Sequence, residues 1–221
     1  MITTNVLFHP KCGGPDLMVE EDGRVHVDGR GYITRAWNKK VDQWKDLIAA
    51  SAAKYDVPEA WIAGCMLQES GGQQKALSSA GCIGLMQICS QMSPTISKEE
   101  LWKPENNIDM GARIIAAHAA KANWNPVMVF ALYNSGGYFC YSGKNCPTPG
   151  LWNVNENCGY VEQVVKGINA AIEQGYSGTG ASAEEPSASG WKIAVALAAA
   201  AIPVAMIYGV TRMKVGRLQH A

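Results

Sequence analysis

The chain has 221 residues, enough for one domain of about 150 residues with appendages, and a domain of that size buries a self-sufficient core. Lys plus Arg and Asp plus Glu number 19 each, so no net charge draws the protein to an anionic polymer, and nucleic acid is excluded from the expected partners. The seven cysteines (Cys12, Cys65, Cys82, Cys89, Cys140, Cys146, Cys158) lack the paired CxxC spacing of a zinc module, so no metal and no cofactor are expected, and their odd count leaves at least one thiol unpaired.

Residues 1–40 contain DGR twice, at Asp22–Arg24 and Asp28–Arg30, between short alternating runs, and read as a small β-rich lead-in with two turns. The opening residues have no basic stretch followed by an apolar one, so they do not read as a secretory signal peptide. His9, Cys12 and His26 match no metal-ligand spacing and read as turn and strand residues.

From residue 41 to 174 the pattern is helical. Trp44, Leu47, Ile48 and Ala52 fall at i, i+3, i+4 and i+8, the stripe of a helix packed on a core. Asp56, ahead of Pro58 and three residues before Glu59, predicts a capping-box-like start for a helix over 58–68. Ser70, Gly71 and Gly72 should end it, glycine supplying the left-handed cap. Further helices are predicted over 107–122, 126–133 and 160–173, with a Gly/Pro/Asn-rich loop over 140–157.

Residues 175–190 are small, polar and aperiodic, and read as a flexible linker. Ile193–Val210 is an uncharged run of 18 residues within a predicted transmembrane helix over 191–210, followed by a basic tail over 211–221. Trp191 and Tyr208 suit interfacial anchoring, and Arg212, Lys214 and Arg217 favour a cytoplasmic C-terminus with the preceding domain on the opposite side. A buried Ala-rich helix of a soluble fold is the competing reading.

One acidic side chain, Glu69, ends an otherwise apolar helix. The preceding face (Trp61, Ile62, Cys65, Met66) contains nothing to pair with it, and the helix C-terminus disfavours its charge. Both effects favour the protonated form, which a general acid needs near neutrality.

Glu69-Ser70, then Ser78 to Ile88 with Gly84-Leu85-Met86-Gln87, then Asn107-Ile108 with Gly111, then Ala131 to Gly136, and finally Glu156 with Tyr160-Val161 form an ordered set. In order and spacing this set resembles the soluble lytic transglycosylase family. The resemblance implies a mainly α, lysozyme-like (goose-type) catalytic domain over 41–174 that cleaves peptidoglycan glycan strands at the N-acetylmuramic acid to N-acetylglucosamine bond and leaves a 1,6-anhydro end. It further implies Glu69 as the catalytic acid and then base, and Ser78 and Gln87 as saccharide contacts. Tyr133 corresponds to a tyrosine whose hydroxyl lies beside the carboxylate, Glu156 to a glutamate that helps form the cleft, and Asn134 fixes a local turn more than it touches substrate. Gly81 and Gly84 should permit a tight loop with close backbone approach to the sugar. Where the family usually continues with Met-Pro after this loop, Cys89-Ser90 follow, so one cleft wall is altered. Cys140, Cys146 and Cys158 read either as one disulfide with a spare thiol or as unpaired small hydrophobes.

A lysozyme-type hydrolase and a non-catalytic wall-binding module are the alternatives. The setting expected is virion-associated, with phage genome entry as the purpose and other virion or ejection proteins as partners. A membrane-tethered enzyme of a bacterial secretion or conjugation machine is the second reading.

Overall fold

A computed structural model describes residues 18–26, 32–89, 96–134 and 158–180. All of these lie in the first of two compact units, Met1–Ala183; the second, Glu184–Ala221, lies outside the described residues, and with it the predicted membrane span. Among the described residues no helix is long and apolar enough to cross a membrane.

The described part is mainly α. Two short antiparallel strands, β1 (Met18–Val19) and β2 (Val25–His26), pair Val19 with Val25 around the first DGR turn, where Gly23 takes a φ of 86°. The second DGR lies outside the described residues. Six helices follow: α1 (Lys45–Tyr55), α2 (Glu59–Glu69), α3 (Lys98–Leu101), α4 (Pro104–Lys121), α5 (Pro126–Asn134) and α6 (Cys158–Glu173). A 3₁₀ turn over Asp42–Trp44 leads into α1.

Of the predicted stripe, Ile48 and Ala52 are buried on α1, Leu47 is half-buried there, and half-buried Trp44 ends the 3₁₀ turn before it. On α4, Ile108, Ala112, Ile115 and Ala119 are buried at i, i+4, i+7 and i+11. The stretch Ala60–Leu67 of α2 is buried on every side, as expected of a helix at the centre of a core. Asp56 departs from its expected role. It sits in the left-handed region (φ 52°) as the C-cap of α1, its N–H donating to Ala52 O, while Pro58 stands at the N-cap of α2 without a side-chain bond. The short α3 carries its own signal, since Ser97 precedes Glu100 by three residues and its side chain accepts from the Glu100 N–H. Helix α4 begins at Pro104, where the missing N–H costs nothing, so Asn107 lies in its first turn rather than at its start.

The largest helix contact is between α2 and α6, and it depends on two glycines. A Cβ on Gly64 would lie 2.5 Å from Ile168 N, and one on Gly167 would lie 2.9 Å from Gly64 O. In a helix interior alanine is ordinarily favoured over glycine by about 1 kcal/mol, but this backbone contact reverses the sign. Gly64→Ala should therefore destabilise the protein by about 1–3 kcal/mol in urea unfolding, the usual cost of overpacking.

The β-hairpin is held to α6 by buried Asn169. Its Oδ1 accepts from Val25 N (2.8 Å), and its Nδ2 donates to Val25 O (2.9 Å) and Ile33 O (3.0 Å). Lys54 and Tyr55 of α1 both meet Asp109 of α4, at 2.6 and 2.8 Å, which fixes those two helices against each other.

Candidate active site

Glu69 is the last residue of α2 and stands where the helix gives way to a glycine turn. Ser70 N and Gly71 N both bond Met66 O, and Gly71 takes the left-handed conformation predicted for it (φ 60°). The buried Ser70 hydroxyl donates to Leu85 O at 2.7 Å and accepts from Gly72 N at 3.1 Å. One side chain thus joins the end of α2 to the loop that faces Glu69.

That loop, residues 76–89, is closed on itself. Ser78 N donates to Cys82 O, and Ile83 and Ile88 exchange backbone bonds at 3.0 Å each. A disulfide joins Cys82 to Cys89, their Cα atoms 4.0 Å apart. Closing so short a loop constrains the unfolded chain by about 2–3 kcal/mol. Beneath it, buried Asn107 donates from Nδ2 to Ile83 O and Leu101 O (2.9 Å each) and accepts at Oδ1 from Met86 N (2.8 Å). Gly84 (φ 77°) exists for this contact, because a Cβ there would come within 2.5 Å of the Asn107 amide nitrogen. On its Cβ side Gly84 thus makes its close approach to Asn107.

An open cleft is lined by Glu69, Ser78, Cys82, Gln87, Ile88, Cys89, Ile114, Tyr133 and Asn134. The geometry thus brings Glu69, Ser78, Gln87, Tyr133 and Asn134 to one cavity, whereas Glu156 lies outside the described residues. Their polar atoms are partly engaged in the protein. Ser78 Oγ accepts from Cys82 N at 3.0 Å, so its proton remains available for donation. Gln87, held at φ 49°, donates from Nε2 to Gly84 O (2.9 Å) and Ala76 O (3.2 Å), which turns its carbonyl oxygen into the group it can offer a ligand. Asn134 is the exposed final residue of α5, at the rim.

The hydroxyl bonded to Glu69 is not that of Tyr133. Tyr133 OH donates to Met86 O at 2.8 Å, and it is Tyr160 of α6 that donates to Glu69 Oε1. The expectation that nothing pairs with Glu69 holds for its own helix, but the partner arrives from another. Cys65, one turn before Glu69, is free and buried, with Sγ 3.8 Å from Tyr160 OH.

Burial raises the Glu69 carboxyl from 4.5 to about 7, and the Tyr160 hydrogen bond pulls partly the other way. Burial likewise pushes the Cys65 thiol and the Tyr133 and Tyr160 hydroxyls well up, so all three stay protonated and can donate. Tyr160→Phe removes the hydrogen bond that, among the described residues, favours the carboxylate. It should move the alkaline limb of the rate profile to higher pH and lower kcat/KM about tenfold, the scale of one hydrogen bond to a charged group.

Three features of the site lay beyond the sequence reading: the Tyr160 contact, the Asn107 brace and the Cys82–Cys89 bridge. Asn107 and Tyr160 stood in recognised motifs, but nothing in the sequence gave their hydrogen-bond partners. The two cysteines flank the Gly84–Ile88 segment at a separation of seven, which was the available signal for their bridge.

Comparison with known proteins finds similarity over part of the chain. Residues 46–142, less than half of the chain, match the sequence profile of the Transglycosylase SLT domain. Over 86 residues the chain is 36% identical to membrane-bound lytic murein transglycosylase E of Buchnera aphidicola, a stretch covering 33% of this chain and 38% of that protein. Over 73 residues it is 30% identical to the transglycosylase of Enterobacteria phage PRD1, covering 33% of this chain and 28% of that one. The chain thus spans well under half the length of these relatives. Among solved structures, an inactive mutant of the lytic transglycosylase Slt from Pseudomonas aeruginosa aligns with a TM-score of 0.48 at 22% identity, covering 58% of this chain and 24% of that one. Residues 46–142 of this chain are thus similar in sequence to the Transglycosylase SLT domain.

Proposed function

We propose that the protein is a peptidoglycan lytic transglycosylase in which Glu69 serves as acid and then as base. The observation that carries this reading is a single buried carboxylate, raised to about 7, in a cleft with no second carboxylate among the described lining residues. Glycosidases that use water or a covalent intermediate ordinarily need two carboxylates. With one, this reading takes the nucleophile from the substrate.

Tyr160 donates to Oε1, so Oε2 carries the proton that passes to the glycosidic oxygen as the bond from C1 of N-acetylmuramic acid breaks. The ionised carboxylate then accepts the proton of the same sugar's C6 hydroxyl as that oxygen closes on C1. Intramolecular attack has the advantage of proximity, and the product is a 1,6-anhydro end made without water. Ser78 Oγ and the Gln87 carbonyl orient the strand, Tyr133 forms part of the cleft wall, and Asn134 stands at its rim. Glu156, outside the described residues, takes no part in the proton transfers in this reading and only helps form the cleft.

Residues 191–210 anchor the protein in a membrane, with the SLT domain on the peptidoglycan side. The uncharged run over 193–210 and the basic residues after it support this. The Cys82–Cys89 bridge favours the same side, since disulfides persist in oxidising compartments. The likeness to a phage transglycosylase favours a virion-associated enzyme that opens the wall locally during genome entry, in contact with other virion proteins. A wall-remodelling enzyme of a bacterial secretion or conjugation machine is the second reading, favoured by the likeness to a membrane-bound bacterial enzyme.

Digestion of purified sacculi should release muropeptides one water lighter than hydrolysis products. Reducing-end products would identify a lysozyme-type hydrolase, and no products a wall-binding module. Detection of the protein in purified particles by mass spectrometry supports the virion setting; detection only in envelopes of uninfected cells excludes it.

A further inference from the structure

We infer that the Cys82–Cys89 disulfide is a substrate-positioning element, holding the Cys89 edge of the cleft wall in the shape that receives the glycan strand. This rests on the functional reading above and adds a determinant of binding to it. Both cysteines line the cleft with Glu69, Gln87 and Ile88, so the bridge is part of the wall and not a remote staple.

The bonding of the loop shows what the bridge alone secures. Up to Ile88 the segment is held by the reciprocal Ile83 and Ile88 backbone bonds, by Asn107 on Met86 N and by Ser70 on Leu85 O. No backbone hydrogen bond fixes Cys89 among the described residues; its tie to the loop is the bridge to Cys82. Opening the bridge therefore frees the edge of the cleft and leaves the base of the loop in place. It also leaves the Tyr160 to Glu69 hydrogen bond untouched. Binding should weaken while the chemical step stays close to its original rate.

The step is reversible in a defined way. Two electrons and two protons from a dithiol convert the bridge to two thiols, and the dithiol leaves as its own disulfide; a small-molecule disulfide restores the bridge. A chain held in a reducing compartment would thus carry a loosened cleft that tightens on transfer to an oxidising one.

The test compares the full chain with Cys82→Ser/Cys89→Ser on soluble glycan strands, and repeats it with wild-type protein reduced by dithiothreitol, the opened bridge being located by alkylation and mass spectrometry. KM should rise about three- to tenfold, the scale of leaving a contact segment to be ordered on binding, with kcat within about twofold. Placed on a Glu69→Gln background, the double substitution should raise the directly measured Kd by the same factor. An unchanged KM and Kd, or a fall in kcat at unchanged KM, would overturn the inference. Failure of bridged Glu69→Gln protein to bind the strands at all would remove the functional reading itself, and the inference with it.

Discussion

Glu69→Gln should lower peptidoglycan cleavage by about 10²–10⁴-fold, the range lost with a general acid, while the protein stays folded. Turbidity loss of a sacculus suspension measures it, and activity above a few per cent of wild type contradicts the assignment. Glutamine keeps the shape and still accepts from Tyr160, but it has no proton to give. The same variant should be more stable than wild type in alkaline solution. The folded carboxyl titrates at about 7 and the unfolded one at 4.5, so the folded state binds the proton more tightly. Stability from this group is fully present below 4.5, falls as pH rises toward 7 and is lost above it. That amounts to at most ~3 kcal/mol above pH 7.

His118 acts in the opposite direction. It is buried on α4 with neither ring nitrogen hydrogen-bonded among the described residues, and burial lowers it from 6.5 to about 4. Its contribution is present above 6.5 and lost as pH falls toward 4. The two slopes oppose each other in wild type, and Glu69→Gln should leave the His118 slope alone. Urea unfolding of both proteins at pH 5 and pH 8 separates them. Activity should follow Glu69 directly: kcat/KM falls as pH rises past about 7, because the acid must be protonated.

Asn107→Ala should cost about 3–5 kcal/mol and most of the activity. The substitution orphans the Leu101 carbonyl and the Met86 N–H in a buried site and removes one of the two donors to Ile83 O, which keeps Ile88 N; each orphan costs about 1–3 kcal/mol unless water reaches it. It also removes the contact around which Gly84 is built, so the loop bearing Gln87 loses its base. Aspartate should not rescue it, since it cannot donate to the two carbonyls and would place a charge in the core. Thermal unfolding with a parallel cleavage assay is the check, and a variant within 1 kcal/mol of wild type would mean the brace is dispensable.

The longer helices were legible because each is a local pattern, whereas the single turn of α3 was too short to show one. Ile48 and Ala52 on α1, and Ile108 through Ala119 on α4, bury a face that repeats every turn, and Gly71 marks a stop by chirality alone. Asp56 was misread because an aspartate between two helices can start one or end the other; the left-handed C-cap prevailed once Pro58 took the N-cap. Glu69 was legible because burial and a helix end act on a residue within its own segment. Tyr160 and Asn169 were not, since their roles depend on partners 91 and 144 residues away. Motif order identified which loops meet in the cleft, and hydrogen-bond geometry then distinguished a wall residue, Tyr133, from the partner of the acid, Tyr160.

In the proposed mechanism Glu69 performs both proton transfers while the substrate supplies its own nucleophile. Digestion of purified sacculi in ¹⁸O-labelled water distinguishes this from attack by water, with Glu69→Gln as the blank. Anhydro-ended muropeptides that carry no label should be produced by wild type and not by the variant. Labelled reducing ends in the wild-type digest would mean that water attacks C1 and would contradict the mechanism.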